Sequence, residues 1–217
     1  MPEYFKKARD PISSYTHVLG AIFSVFGTLL MLIKWAFFTD RETVLLGAVL
    51  AYGFSLIALY LASGVYHYSN APLKHVAILR KLDHSMIYVL IAGTYTPLLL
   101  KYFAPVKGII FTAAMWAAAL LGCIMKVCWM KAPRWLSTVL YIAMGWVIIV
   151  DLPSLSAMPI PGIALLMGGG VAYTAGAVIY AVKKPNLPKG FGFHEIFHLF
   201  VLLGSLLHFI MVFCFVL

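Results

Sequence analysis

The sequence predicts an all-α protein, a seven-transmembrane helix bundle in which residues 1–217 form a single integral membrane domain. Three observations predict this. Hydrophobic residues make up 63% of the 217 and charged residues only 11%, and the mean hydropathy of +0.98 lies outside the range of soluble domains. Apolar runs of about 20 residues, the length that crosses a hydrocarbon core, recur along the whole chain. The polar stretches between them are short, so there is no linker or second domain, and no internal repeat is visible.

Taken in order, apolar runs ended by charge, proline or glycine place the spans at 14–35, 43–66, 83–102, 108–127, 134–151, 160–182 and 193–216. Met1 to Pro11 mixes acidic and basic residues, and the first apolar run is long enough to remain as an anchor rather than a cleaved signal. Pro97 within span three predicts a kink, and the run Gly168-Gly169-Gly170 in span six a close helix contact. Cys123, Cys128 and Cys214 read as small buried hydrophobes, not as a disulfide or a metal site.

Loop charges set the orientation. Lys6, Lys7, Arg9, Lys74, Arg80, Lys81, Lys126, Lys131, Arg134, Lys183, Lys184 and Lys189 fall on one side, and Lys34, Arg41, Lys101 and Lys107 on the other. The excess marks the cytoplasmic side, giving a cytoplasmic N-terminus and an extracytoplasmic C-terminus in a multi-pass protein of the bacterial inner membrane. The net charge of +9 is accounted for by this bias and by attraction to anionic lipid, so no nucleic-acid partner is expected.

The chemistry centres on His194-Glu195-Ile196-Phe197-His198, a His-Glu-x-x-His pattern in a chain with few acidic residues. Histidines four apart lie one helical turn from each other and can hold one cation. The orientation brings three segments to one depth: Ser63 and His67 at the end of span two, Asp83 and His84 at the start of span three, and His194 and His198 at the start of span seven. His67, His194 and His198 are therefore the candidate metal ligands. Three protein ligands leave a fourth position for water, as in catalytic zinc sites, and zinc lowers the pKa of that water to about 7.

Asp83 is the candidate to orient or deprotonate the water; a helix cap is compatible with that role. Ser63 stands as hydrogen-bond donor or transition-state stabiliser, beside the alternative of an ordinary serine bonded to its own helix. Glu195 is the base by analogy with soluble proteases, but it points about 100° away from His194 on a helix and ranks below Asp83. It can equally face headgroups or pair with Lys189. His208 lies about 15 Å beyond His198, too far to share the ion; with Ser205 it lines a polar cavity or bonds a neighbouring helix. His17, with Ser24 on its face, reads as a cavity or packing residue, and His75 as a loop histidine.

Ser63-Gly64-Val65-Tyr66-His67, then Lys81-Leu82-Asp83-His84-Ser85 running into Ala92-Gly93-Thr94-Tyr95-Thr96-Pro97, then His194 to His198, resembles the bacterial hemolysin III family over essentially the whole chain. That family is grouped with the progestin and adipoQ receptors, which include the adiponectin receptors, and more distantly with the alkaline ceramidases. The resemblance implies seven helices, a cytoplasmic N-terminus and a zinc ion held by His67, His194 and His198, with Asp83 holding its water and Ser63 beside it. It also implies ceramidase-like hydrolysis of lipid amides in the related receptors, and membrane homeostasis or haemolysis in bacterial members. The family's first motif has an acidic residue and an asparagine ahead of Thr-His; Asp10 and Ser13 stand there before Thr16-His17, and a serine lacks the two-ended amide of asparagine.

The leading expectation is a membrane-embedded zinc hydrolase of a lipid amide or ester, the membrane lipid being its substrate. The alternatives are a non-enzymatic, zinc-stabilised membrane sensor or homeostasis factor, and a pore or lytic protein. Scarce intramembrane charge and the lack of repeats weigh against a transporter or pore. A histidine pair on one helix beside a carboxylate does not suit bis-histidine haem, and the loop charges oppose a rhodopsin-type receptor.

Overall fold

The computed structural model describes residues 1–129, 132–187 and 191–217. Lys131 and Lys189, counted in the charge asymmetry above, lie outside the described residues, and so does the suggested Lys189 partner of Glu195. Among the described residues seven α-helices make up the fold: α1 Pro11–Phe38, α2 Thr43–Tyr68, α3 Leu73–Tyr102, α4 Pro105–Cys128, α5 Arg134–Gly145, α6 Ile160–Val182 and α7 Phe193–Met211. Among the described residues, six helical segments are long and apolar enough to cross a bilayer. The remaining helix, α3, has 30 residues but carries Lys74, Arg80, Lys81 and Asp83 in its first half. Large apolar side chains such as Phe23, Phe26, Leu121 and Ile109 face outward, as they must where hydrocarbon replaces water. The chain is a multi-pass membrane protein.

Local chemistry sets the helix ends. Pro105 and Pro11 open α4 and α1 at positions where a missing N–H costs nothing. α3 begins ten residues before the apolar run at 83, because the amphipathic stretch from Leu73 is helical although too polar to be read as a span. His75 is therefore a residue of the first turn of α3, not of a loop. The fifth span is divided: α5 ends at Gly145, and a 3₁₀ stretch follows over Val147–Leu155, broken at Asp151 (φ −144°, ψ 50°) just before Pro153. The Asp151 carboxylate accepts from Lys107 and Ser154, so the break is polar and tied to α4.

Packing runs in a closed circuit, α1 on α2, α2 on α3, α3 on α5, α5 on α6, α6 on α7 and α7 back on α1, with α4 applied to α3. The interior is filled by Tyr52, Tyr60, Met31, Leu98 and Leu99. Helices in lipid gain little from burial alone and depend on close contact of small residues. A methyl at Gly93 of α3 would sit 2.2 Å from Ser55 Oγ of α2, and one at Gly169 of α6 would sit 2.3 Å from the His208 ring of α7. The glycine run of α6 thus makes the expected close contact, and His208 Nε2 lies 3.0 Å from the Leu166 carbonyl of the same helix.

Gly93→Ala is expected to destabilise the bundle by about 1–3 kcal/mol through overpacking, read as a lowered Tm in detergent. Gly47→Ala, where a methyl meets nothing within 4 Å, is expected to leave Tm unchanged or slightly raised. Equal effects of the two changes would contradict the α2–α3 contact.

Candidate metal centre

The site begins with the chain ahead of α1. A short 3₁₀ turn, Glu3–Lys7, lays this segment across the end of α2. Tyr4 stacks on Tyr68 with centroids 5.0 Å apart, the Arg9 guanidinium lies 4.3 Å over the Tyr66 ring, and Asn70 donates to the Lys7 carbonyl at 2.7 Å. Asp10 is thereby brought against His67 twice. Its backbone N–H donates to the His67 carbonyl at 3.0 Å, and its Oδ2 lies 2.8 Å from His67 Nδ1. A carboxylate only accepts, so Nδ1 carries the proton and the lone pair is on Nε2. The same bond holds the Asp10 carboxyl below its ordinary range, against partial burial and with help from Arg9.

The His67 Nε2 lone pair faces α7. His194 Nε2 is 3.2 Å away, and one nitrogen from each of His67, His194 and His198 lies within 4.8 Å of the others. Two imidazole nitrogens bound tetrahedrally at about 2.05 Å from one zinc would be about 3.3 Å apart, so the His67–His194 spacing fits a shared cation. His198 is buried, and its Nδ1 has no hydrogen-bond partner. The donor set is all imidazole, a type that suits zinc, copper, iron or nickel and not magnesium or calcium. These residues fit a metal ion.

Glu195 takes no part in this group. Its Oε2 accepts from the Gly192 N–H at 2.9 Å and its Oε1 from Ser13 Oγ at 3.2 Å, so it caps α7 and ties it to α1. Ser13 therefore has a function of its own here, without an amide. His17 of α1 stacks on His198 with ring centroids 3.7 Å apart, and both of its nitrogens lack a partner. It supports the His198 ring from behind and lines the cavity beside the histidines, in keeping with the cavity reading. Asp10 as the partner of His67 was not read from the sequence. The available signal was a carboxylate among Lys6, Lys7 and Arg9, just ahead of a span and on the same side as His67.

Beside the histidines lies a cavity of about 70 Å³ whose wall includes His194, His198, Ser63, Asp83 and His84. Asp83 is partly buried and Ser63 buried. Deeper in the bundle a second space of about 110 Å³ is lined mostly by apolar residues, among them Leu90, Ile91, Ile142 and Trp146. Leu59, Ile87, Tyr141, Phe197 and Val201 border both, so the two adjoin. His208 lines the second space. Ser205 instead joins α2 to α6, accepting from Tyr60 at 2.6 Å and lying 2.7 Å from the Tyr173 hydroxyl.

Fold and site together define a helical membrane protein with a three-histidine cluster at one end of its bundle, of a kind able to hold a metal. Residues 5–209 match the family described as haemolysin-III related. The chain is 37% identical over 206 residues to Hemolysin-3 of Bacillus cereus, covering 94% of this chain and 90% of that protein. It is 35% identical over 194 residues to a Hemolysin-3 homolog of Bacillus subtilis (strain 168), covering 89% and 87%. The chain belongs to the haemolysin III family.

Removing the carboxylate that holds His67 Nδ1, with Asp10→Ala, is expected to weaken metal affinity about 10–100-fold while leaving the three ligands in place. Competition with a chelator measures this. Glu195→Gln, which keeps an acceptor for the Gly192 N–H, is expected to change affinity far less; the reverse ranking would contradict the assignment of Asp10.

Proposed function

We propose that this chain crosses the membrane seven times with its N-terminus in the cytoplasm, and that it is a zinc-dependent hydrolase of a membrane lipid amide or ester. The carrying observation is a three-imidazole group, with no fourth His, Cys, Asp or Glu in it among the described residues, next to a cavity that holds a carboxylate and continues into apolar space. An incomplete ligand set of this kind is the pattern of catalytic sites, whereas structural sites are closed by four protein ligands. The charge asymmetry of the loops supports the orientation.

In this reading His67, His194 and His198 hold the ion, with His67 fixed by Asp10. Bound there, zinc supplies Lewis acidity toward a carbonyl oxygen. Asp83 accepts a proton from the attacking water and returns it to the leaving amine or alcohol. Ser63 donates a hydrogen bond to the oxygen that gains charge as the carbonyl becomes tetrahedral. The apolar space receives an acyl chain and keeps water from that chain, while the carbonyl stays at the polar end where the attacking water is. Lysis, the activity in the relatives' names, would follow from altered lipid composition without a pore.

Purified protein is expected to carry zinc in near-stoichiometric amount, and His67→Ala, His194→Ala and His198→Ala to lose it. Fatty acid release from a panel of lipid amides and esters is expected for the wild type, with Asp83→Asn lowering kcat about 100-fold or more at unchanged zinc content. An occupied site without turnover on any lipid would instead support a zinc-stabilised sensor.

A further inference from the structure

The wall of the cavity beside the histidines carries three side-chain cations, Arg80, Lys126 and Arg134, against one carboxylate, Asp83. They come from α3, α4 and α5, so convergence of three helices gathers them. Lys126 is only 4% exposed. Its ammonium donates to Ser137 and lies 6.0 Å from the Tyr141 ring centroid, and the Arg134 guanidinium lies 5.3 Å over Tyr180. Among the described residues none of the three is in an ion pair; the pairs that form involve other residues. Keeping a buried ammonium without a counter-charge is costly, and the two guanidinium groups stay charged at any cellular pH. Directly beyond these cations the space turns apolar.

We propose that this lumen binds a lipid with a phosphate headgroup, the phosphate between Lys126, Arg80 and Arg134 and one acyl chain in the apolar space. This rests on the lipid-binding part of the reading above and narrows it to anionic lipids. Three cations less one carboxylate leave two positive charges before any metal is counted, which matches a phosphate monoester of roughly −1.5 to −2. Guanidinium and ammonium groups recognise phosphate through charge-assisted hydrogen bonds. A neutral headgroup would leave Lys126 as it stands, buried and unpaired.

Binding, not turnover, tests this. Full-length zinc-loaded protein in an uncharged detergent is titrated with lysophosphatidic acid, with monoacylglycerol of the same chain, and with inorganic phosphate. Lysophosphatidic acid is expected to bind at least about tenfold more tightly than monoacylglycerol, and Lys126→Met to remove most of that preference, as loss of one charge-assisted hydrogen bond implies. Should Lys126→Met not fold, the exposed pair Arg80→Gln and Arg134→Gln is expected to lower lysophosphatidic acid affinity similarly while monoacylglycerol binding is unchanged. Equal affinity for the two lipids, or a preference that survives both sets of changes, overturns the proposal. Inorganic phosphate binding as tightly as lysophosphatidic acid overturns the lipid part, leaving a phosphate-ion site. Phosphate-dependent lipid binding without hydrolysis would sink the hydrolase reading alone, and hydrolysis of neutral lipids without the preference would sink this one alone.

Discussion

The hydrogen bond between Asp10 and His67 is the interaction on which the site depends. It chooses the tautomer of His67 and turns its free nitrogen toward α7. It also fastens the segment ahead of α1 over the end of α2, and Glu195 makes the matching tie from α7 back to Ser13. Two carboxylates, Asp10 just ahead of α1 and Glu195 in the first turn of α7, thus act as struts around three imidazoles. Inside a bundle in hydrocarbon, where water cannot complete a polar group's bonds, struts of this kind hold ligands where packing alone would not.

Polarity then falls off along the interior. Histidines, Asp83 and the three cations occupy one end, mostly apolar residues line the adjoining space, and the tyrosine–serine links of Tyr60, Tyr173 and Ser205 satisfy the hydroxyls beyond. This gradient, polar at one end and apolar beyond, is the feature on which the proposed lipid reading rests. The close approach of α6 to α7 at Gly169 and of α3 to α2 at Gly93 gives the interior its borders, because backbones without side chains between them leave fixed distances for the larger residues to fill.

Much of this was legible from residue order. Apolar runs marked most of the helices, since crossing hydrocarbon demands both length and apolarity. The early start of α3 was not, because its first turns are amphipathic and polar; nor was the break at Asp151, whose carboxylate is paired with Lys107 of another helix. His67, His194 and His198 could be placed at one depth by counting loop charges, and they do converge. Glu195 illustrates the opposite case. Its place in the His-Glu-x-x-His pattern suggested a base, and its two hydrogen bonds make it a cap.

By itself the sequence determined the class of architecture, the number and approximate extent of the helices, and which histidines could meet, because these follow from hydropathy, charge and helical spacing along one dimension. Tertiary structure alone decided that Asp10 orients His67, that His17 backs His198, and that Arg80, Lys126 and Arg134 converge on one cavity. Each of those facts joins residues on separate segments, and rotation of a helix about its axis is set by contacts that no single segment contains.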